Sequence, residues 1–185
     1  EHLKKKLNLS GKPGLLTVGR MCERKGQEIV IQALAELKKD FPNLIYLVVG
    51  HPQDKVKLET LANHFRVSES VYFFPNVPYA ELPLYYSMAD IYILNSRISK
   101  DGDFEGFGIS ILEAALSGIP SIGSKGFGID DAIEHEKTGL LIKPNSISAT
   151  KEAISNLLKN KALCKRMGTN AYHRALNHFS WSQIA

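Results

Sequence analysis

The chain has 185 residues, 44% hydrophobic and 23% charged, which is an ordinary composition for one globular domain with a sizeable core. No apolar run approaches the ~20 residues that a membrane-spanning helix needs. The net charge of +4 favours an anionic ligand or surface, but aromatic side chains do not interleave with the basic ones, so nucleic acid is not expected as a partner.

Apolar runs alternate with segments of helical periodicity along the whole chain. The apolar runs predict strands at 13–19, 44–50, 71–74, 91–94, 121–123 and 140–142. Helical spacing predicts helices at 27–39, 54–65, 81–88, 106–116, 146–159, 162–177 and from 180 onward. This alternation favours an α/β fold with a doubly wound, Rossmann-like sheet of about six mostly parallel strands.

Three segments follow from this pattern. Residues 1–12 are basic, lack a strand pattern and predict a linker from an upstream domain. Residues 13–178 form the Rossmann-like domain, and 179–185 begin a further helix that the chain cuts short. Ligands of such sheets bind beyond the carboxyl ends of the strands, so the loops after the strands are the places to search for a site.

Positive charges follow the first predicted strand. Arg20, Arg24 and Lys25 come directly after Gly19, and Gly26 opens the next helix. A dinucleotide fingerprint would need a second glycine two positions after the first, and this chain lacks it. Because guanidinium and ammonium groups can neutralise a diphosphate without a metal, the loop is a candidate phosphate site. A solvated basic loop is the alternative.

A second candidate site opens the helix predicted at 106–116. Its residues are Glu105, Gly106, Phe107, Gly108, Ile109, Ser110, Ile111 and, about two turns inside, Glu113. First-turn N–H groups have no helical partner and attract anions, and glycines let a ligand approach the backbone. A carboxylate at position 113 can accept hydrogen bonds from both hydroxyls of a ribose. The alternative is a capping carboxylate at 105 and a surface glutamate at 113.

The only metal-like motif is Asp101-Gly102-Asp103, a D-x-D pattern in the polar loop at 95–105. Its simpler interpretation is a solvated turn. Cys22 and Cys164 lie far apart, have no metal-ligand spacing and predict two free thiols in a reducing compartment. We therefore expect no metal, no other cofactor and a cytoplasmic location.

Together these residues resemble the retaining glycosyltransferases of the two-Rossmann GT-B architecture, the GT4-like group 1 family, in their C-terminal donor-binding domain. The matching segments are Val18–Arg20, Arg24–Gly26, Glu105–Gly108 with Glu113 (the E-x7-E motif), Ala115–Pro120, Glu134, Thr138–Leu141 and Phe179–Trp181. One departure is Gly126-Phe127-Gly128, where the family often has two adjacent glycines.

The resemblance implies roles for the charged residues. Arg20 and Lys25, beside Gly19, would hold the diphosphate and stabilise the departing nucleoside diphosphate. Glu105 would contact the transferred hexose, which makes Glu105, Arg20 and Lys25 the expected catalytic residues. Glu113 would bind the ribose hydroxyls.

It also implies roles for the neighbouring backbone. The amides of 107–111 would cradle the sugar and the phosphates. Asn76 and Val77, after the third strand, fall where such enzymes contact the base.

The implied reaction moves a mannose- or glucose-type hexose from a GDP- or UDP-linked donor to a glycan or lipid-linked acceptor, as in polysaccharide biosynthesis. The loop at 97–104 is similar to that of GDP-mannose users; an insertion without effect on donor choice is the alternative. The acceptor site would lie in an N-terminal domain outside this chain, so the fragment alone is expected to bind donor and transfer nothing. A peripheral contact with the inner face of a membrane belongs to the expectation for the whole enzyme. The alternatives are a non-catalytic nucleotide-sugar-binding module and another GT-B enzyme such as a sugar-nucleotide epimerase.

Overall fold

The computed structural model describes residues 2–99, 102–126 and 128–179. In these ranges one parallel sheet of six strands has the order β3-β2-β1-β4-β5-β6, which confirms the predicted Rossmann-like architecture. The strands are β1 (Gly14–Val18), β2 (Ile45–Gly50), β3 (Val71–Pro75), β4 (Ile91–Leu94), β5 (Ser121–Ser124) and β6 (Gly139–Ile142).

Helices cover both faces of the sheet. They are α1 (His2–Lys6), α2 (Gln27–Leu37), α3 (Lys55–His64), α4 (Leu82–Tyr86), α5 (Ile109–Leu116), α6 (Ile129–Ala132), α7 (Ile147–Lys159) and α8 (Lys161–His178). Short 3-10 turns lie at Glu23–Lys25, Ser68–Ser70 and Tyr79–Glu81. None of the described helices has the length and apolar character needed to cross a membrane. The helix predicted from 180 onward lies outside the described residues.

One predicted boundary is wrong. The helix predicted at 106–116 begins only at Ile109, because Gly108 adopts a left-handed φ of 77° that ends the preceding loop. Residues 106–108 therefore form an irregular glycine-containing segment in front of the helix. An added Cβ at Gly108 would lie 2.9 Å from the Ile111 side chain, so both backbone angle and space favour glycine there.

The core has two layers because successive strand residues point to opposite faces. In β1, Leu15 packs in a cluster with Val30 of α2 and Ile154 of α7. Its neighbour Leu16 packs in the opposite cluster with Ile111 of α5. All five residues of β1 are buried, as expected for a strand covered on both faces.

The amino-terminal segment, predicted as a linker, contains structure of its own. Leu9 is fully buried, and Leu3 and Leu7 pack against the same cluster as Leu16. The described part of this segment therefore packs on the domain, and its connection to an upstream domain stays a prediction.

The loops after β1 and β4 are in direct contact. These neighbouring strands mark the point where the strand order reverses, the usual ligand position in such sheets. Gly26 has a φ of 65°, and a Cβ added to it would lie 1.9 Å from the carbonyl oxygen of Asn95. Only glycine allows this approach, and it brings the two predicted sites together.

Candidate functional site

The first contact in the site joins the two loops through a buried ion pair. Lys25 ends the 3-10 turn after β1, and its Nζ lies 2.6 Å from Oε2 of Glu105. Both residues are 8% exposed. The lysine side chain runs beside Gly19, where an added Cβ would lie 3.2 Å from its Cε. The structure thus brings together three of the predicted site residues.

Arg24 adds a second cation that sequence reasoning left as either a ligand contact or a surface residue. Its Nη1 lies 2.7 Å from Glu105 Oε2, and its Nε lies 2.9 Å from Asp103 Oδ2. Asp103 thus serves as an ion-pair partner, whereas Asp101 of the D-x-D motif lies outside the described residues. In the described ranges, no group of three or more His, Cys, Asp or Glu side chains is arranged to hold a metal ion.

All described contacts of the Glu105 carboxylate fall on one of its oxygens. Lys25, Arg24 and the hydroxyl of Ser96, at 3.4 Å, all approach Oε2. No described group donates to Oε1. These contacts fix the carboxylate in position through Oε2, while Oε1 has no hydrogen bond or ion pair with a described residue.

Arg20 differs from the other two cations. Its side chain is exposed and makes no hydrogen bond or ion pair with any described residue. Its carbonyl oxygen accepts a 3.0 Å hydrogen bond from Nε2 of the buried Gln27. This hydrogen bond fixes the backbone of the turn, while the guanidinium forms no hydrogen bond or ion pair with a described residue.

A second ionic contact fastens the same two loops. The Arg97 guanidinium pairs with Glu28 and lies 3.4 Å from Glu23, and its backbone N–H donates to the carbonyl of Arg24. Burial raises the pKa of Glu28 above its ordinary value, and the adjacent Arg97 opposes that shift. Sequence reasoning missed this network, since its members come from separate segments.

The amino end of α5 offers unpaired backbone donors. Gly108 provides no side-chain cap, and none of the N–H groups of residues 106–110 donates to a described protein atom. A Cβ added to Gly106 would meet nothing within 4 Å, whereas one added to Gly128 would lie 1.7 Å from the Gly106 carbonyl oxygen. One side of this segment is therefore closely packed and the other is open.

Glu113 is held by two tyrosines, neither of which was predicted as its partner. The hydroxyl of Tyr86 donates to Oε2 at 2.6 Å, and the hydroxyl of Tyr79 lies 3.4 Å from Oε1. Ser110 lies on the same helix as Glu113, and its hydroxyl is 2.6 Å from the hydroxyl of Tyr92 on β4. Both Tyr86 and Tyr92 are buried, at 2% and 0% exposed.

The loop after β3 reaches this helix through Tyr79. Asn76 is exposed and donates its backbone N–H to Gly50 at 3.2 Å, and Val77 packs on the core cluster that includes Ile111. Neither side chain has a described contact with Glu113. Their predicted base contact stays a prediction.

Comparisons with known proteins agree on one family. The family model for glycosyl transferases group 1 matches residues 1–174. A GDP-mannose-dependent alpha-(1-6)-phosphatidylinositol monomannoside mannosyltransferase of Mycolicibacterium smegmatis is 30% identical over 97% of this chain and 47% of its own length. The chain thus spans about half the length of the curated relatives that it matches.

Solved structures agree in fold. Sucrose-phosphate synthase from Thermosynechococcus elongatus has a TM-score of 0.86 at 28% identity, covering 98% of this chain and 45% of its own. The Anabaena protein HepE, solved with UDP-glucose, has a TM-score of 0.88 at 24% identity, covering 99% of this chain and 49% of its own. The second likeness shows the fold alone.

Proposed function

Because the chain belongs to the glycosyl transferases group 1 family, we propose that it is the donor-binding domain of a retaining hexosyltransferase. The proposed enzyme moves a mannose- or glucose-type sugar from a nucleoside diphosphate to a glycan or lipid-linked acceptor. Its acceptor site lies in an N-terminal domain in cis, consistent with relatives about twice as long.

The observation that carries this proposal is the convergence of Lys25, Glu105 and the unpaired N–H groups before α5 at the sheet's switch point. Breaking the bond between a sugar and a diphosphate places negative charge on the leaving group. Lys25 and the backbone donors can stabilise that charge from fixed positions, which is how electrostatic catalysis lowers a barrier, and the exposed Arg20 can add a further positive charge. The cations replace a metal in this role.

The two carboxylates fit the uncharged parts of the donor. Glu105 offers Oε1 to a hexose hydroxyl while its Oε2 is held by cations. Glu113 lies on α5, beside Tyr79 of the loop after β3, and is the proposed ribose ligand. The mannosyltransferase relative uses GDP-mannose, which favours mannose as the sugar.

The test is calorimetric titration of the 185-residue chain with UDP, GDP, UDP-glucose and GDP-mannose. We expect saturable binding of at least one of these ligands, unaffected by EDTA, and no release of free nucleoside diphosphate from the sugar conjugates when an acceptor is added. A folded sample that binds none of the four contradicts the proposal. Binding abolished by EDTA contradicts its metal-free part.

A further inference from the structure

Tyr86 connects the hydrophobic core to the proposed ribose site. It lies on α4 with 2% of its surface exposed, and its ring centroid is 6.0 Å from that of Tyr92. Its hydroxyl reaches α5, where it lies 2.6 Å from Oε2 of Glu113 and 3.3 Å from the carbonyl of Ser110. The packed ring therefore fixes the position of that hydroxyl.

The hydroxyl is a permanent hydrogen-bond donor. Burial, and next the neighbouring Tyr92 and Glu113, raise the pKa of the Tyr86 phenol far above its ordinary value. A phenol with a raised pKa is protonated at neutral pH, and a phenol donating to a carboxylate forms a strong, charge-assisted bond. Because a glutamate has three rotatable bonds, this contact removes most of the freedom that Glu113 would have on the helix surface.

The second oxygen of the carboxylate points to the accessible side. Its described neighbour is the hydroxyl of Tyr79, at 3.4 Å, and Tyr79 is 78% exposed. One oxygen of Glu113 is thus held from the core, and the other can exchange a weak contact for a ligand hydroxyl.

We propose that Tyr86 is a positioning residue that holds Glu113 for the ribose and so makes the site prefer ribonucleotides over nucleotides that lack ribose hydroxyls. This inference rests on the proposed function, since it requires a nucleotide in the site. Tyr86 would thus help to determine the class of nucleotide from within the core, on α4, whereas the carboxylate lies on α5.

The experiment compares UDP with 2′,3′-dideoxy-UDP, and GDP with 2′,3′-dideoxy-GDP, in calorimetric titrations of the 185-residue chain. We expect the wild-type chain to favour the ribose form about tenfold or more, because the analogue offers no hydroxyl to the Glu113 carboxylate. In Tyr86→Phe the preference should fall about tenfold, while affinity for the dideoxy form stays the same.

Tyr46→Phe is the matched control. It also removes a buried tyrosine hydroxyl, one that lies 2.8 Å from Thr17 Oγ1 inside the sheet, away from α5. It should lose stability without losing the ribose preference. In a double-mutant cycle, Tyr86→Phe should cost nothing further once Glu113→Gln is present, because the tyrosine acts through that carboxylate.

The outcomes separate the two proposals. A wild-type chain that binds no nucleoside diphosphate overturns the proposed function and this inference together. A wild-type preference that Tyr86→Phe leaves unchanged, or a preference lost equally in Tyr46→Phe, overturns this inference alone. If Tyr86→Phe does not fold, Glu113→Asp tests whether the position of the carboxylate matters: its side chain is one methylene shorter, so an unchanged preference overturns the inference.

Discussion

Lys25 and Glu105 are 80 positions apart in the chain, yet the ammonium and the carboxylate lie 2.6 Å apart in the space between two strand ends. Glu105 therefore lies next to Lys25, a cation that we assign to the diphosphate. An incoming donor must share Lys25 with Glu105. Removal of Lys25 or of Glu105 should therefore change ligand binding as well as the energy of the ion pair.

Lys25→Gln should weaken binding of the nucleoside diphosphate about tenfold or more, because a charge-assisted contact to phosphate is lost. Calorimetric titration measures the change. Lys55→Gln is the control, since Lys55 pairs with Glu59 on the surface of α3, and its removal should leave the affinity unchanged. Equal affinities for wild type and Lys25→Gln would remove this residue from the site.

Arg20→Gln should reduce affinity without reducing stability. The Arg20 side chain has no described hydrogen bond or ion pair to lose, so the melting temperature should stay within about 1–2 °C of wild type. The affinity loss should be larger at low salt than at high salt, because exposed charges are screened. A variant with unchanged affinity at low salt would exclude a phosphate contact for this side chain.

Asp103→Asn should strengthen binding of nucleoside diphosphates by about two- to fivefold. The substitution removes one of two carboxylates that hold Arg24, frees that guanidinium for the ligand and lowers the local negative charge. Asp40→Asn, which makes the same charge change on an exposed residue after α2, should have no effect. A weaker complex in Asp103→Asn would show that the aspartate supports the site.

Gly106→Ala should lower ligand affinity and leave stability unchanged, whereas Gly128→Ala should lower stability. A methyl group at 106 meets nothing within 4 Å, so the fold should be retained while ligand affinity falls, because the methyl occupies the approach to the backbone donors. A methyl group at 128 would lie 1.7 Å from the Gly106 carbonyl oxygen and should lower the free energy of unfolding by about 2 kcal/mol or more. Thermal melts and titrations of both variants check this; a loss of affinity in neither variant would place the ligand elsewhere.

The sheet was predictable because its strands are short apolar runs between glycines and prolines, and all six appear within a few residues of their expected bounds. The start of α5 was not predictable from the sequence. Helical periodicity continues through Gly106, and only the left-handed φ angle of Gly108 sets the boundary. The amino-terminal helix was missed because its lysines dominate the pattern. The spacing of Leu3 and Leu7, which both pack on the core, was the available signal.

In the site, the residue types were predictable and their partners were not. Glycines and charges after β1 and β4 identified both loops, because parallel strands bring their carboxyl ends to one edge. The pairs Arg24–Asp103 and Tyr86–Glu113 depend on how separate segments pack, and no local pattern specifies that distance.

The close approach of Gly26 to Asn95, together with the pairing of Arg97 to Glu23 and Glu28, has a consequence for engineering. Each loop supplies charged partners for the other, so transplanting either loop alone into a related scaffold would leave partly buried charges without partners. Donor preference should therefore transfer between relatives only when both loops are grafted together.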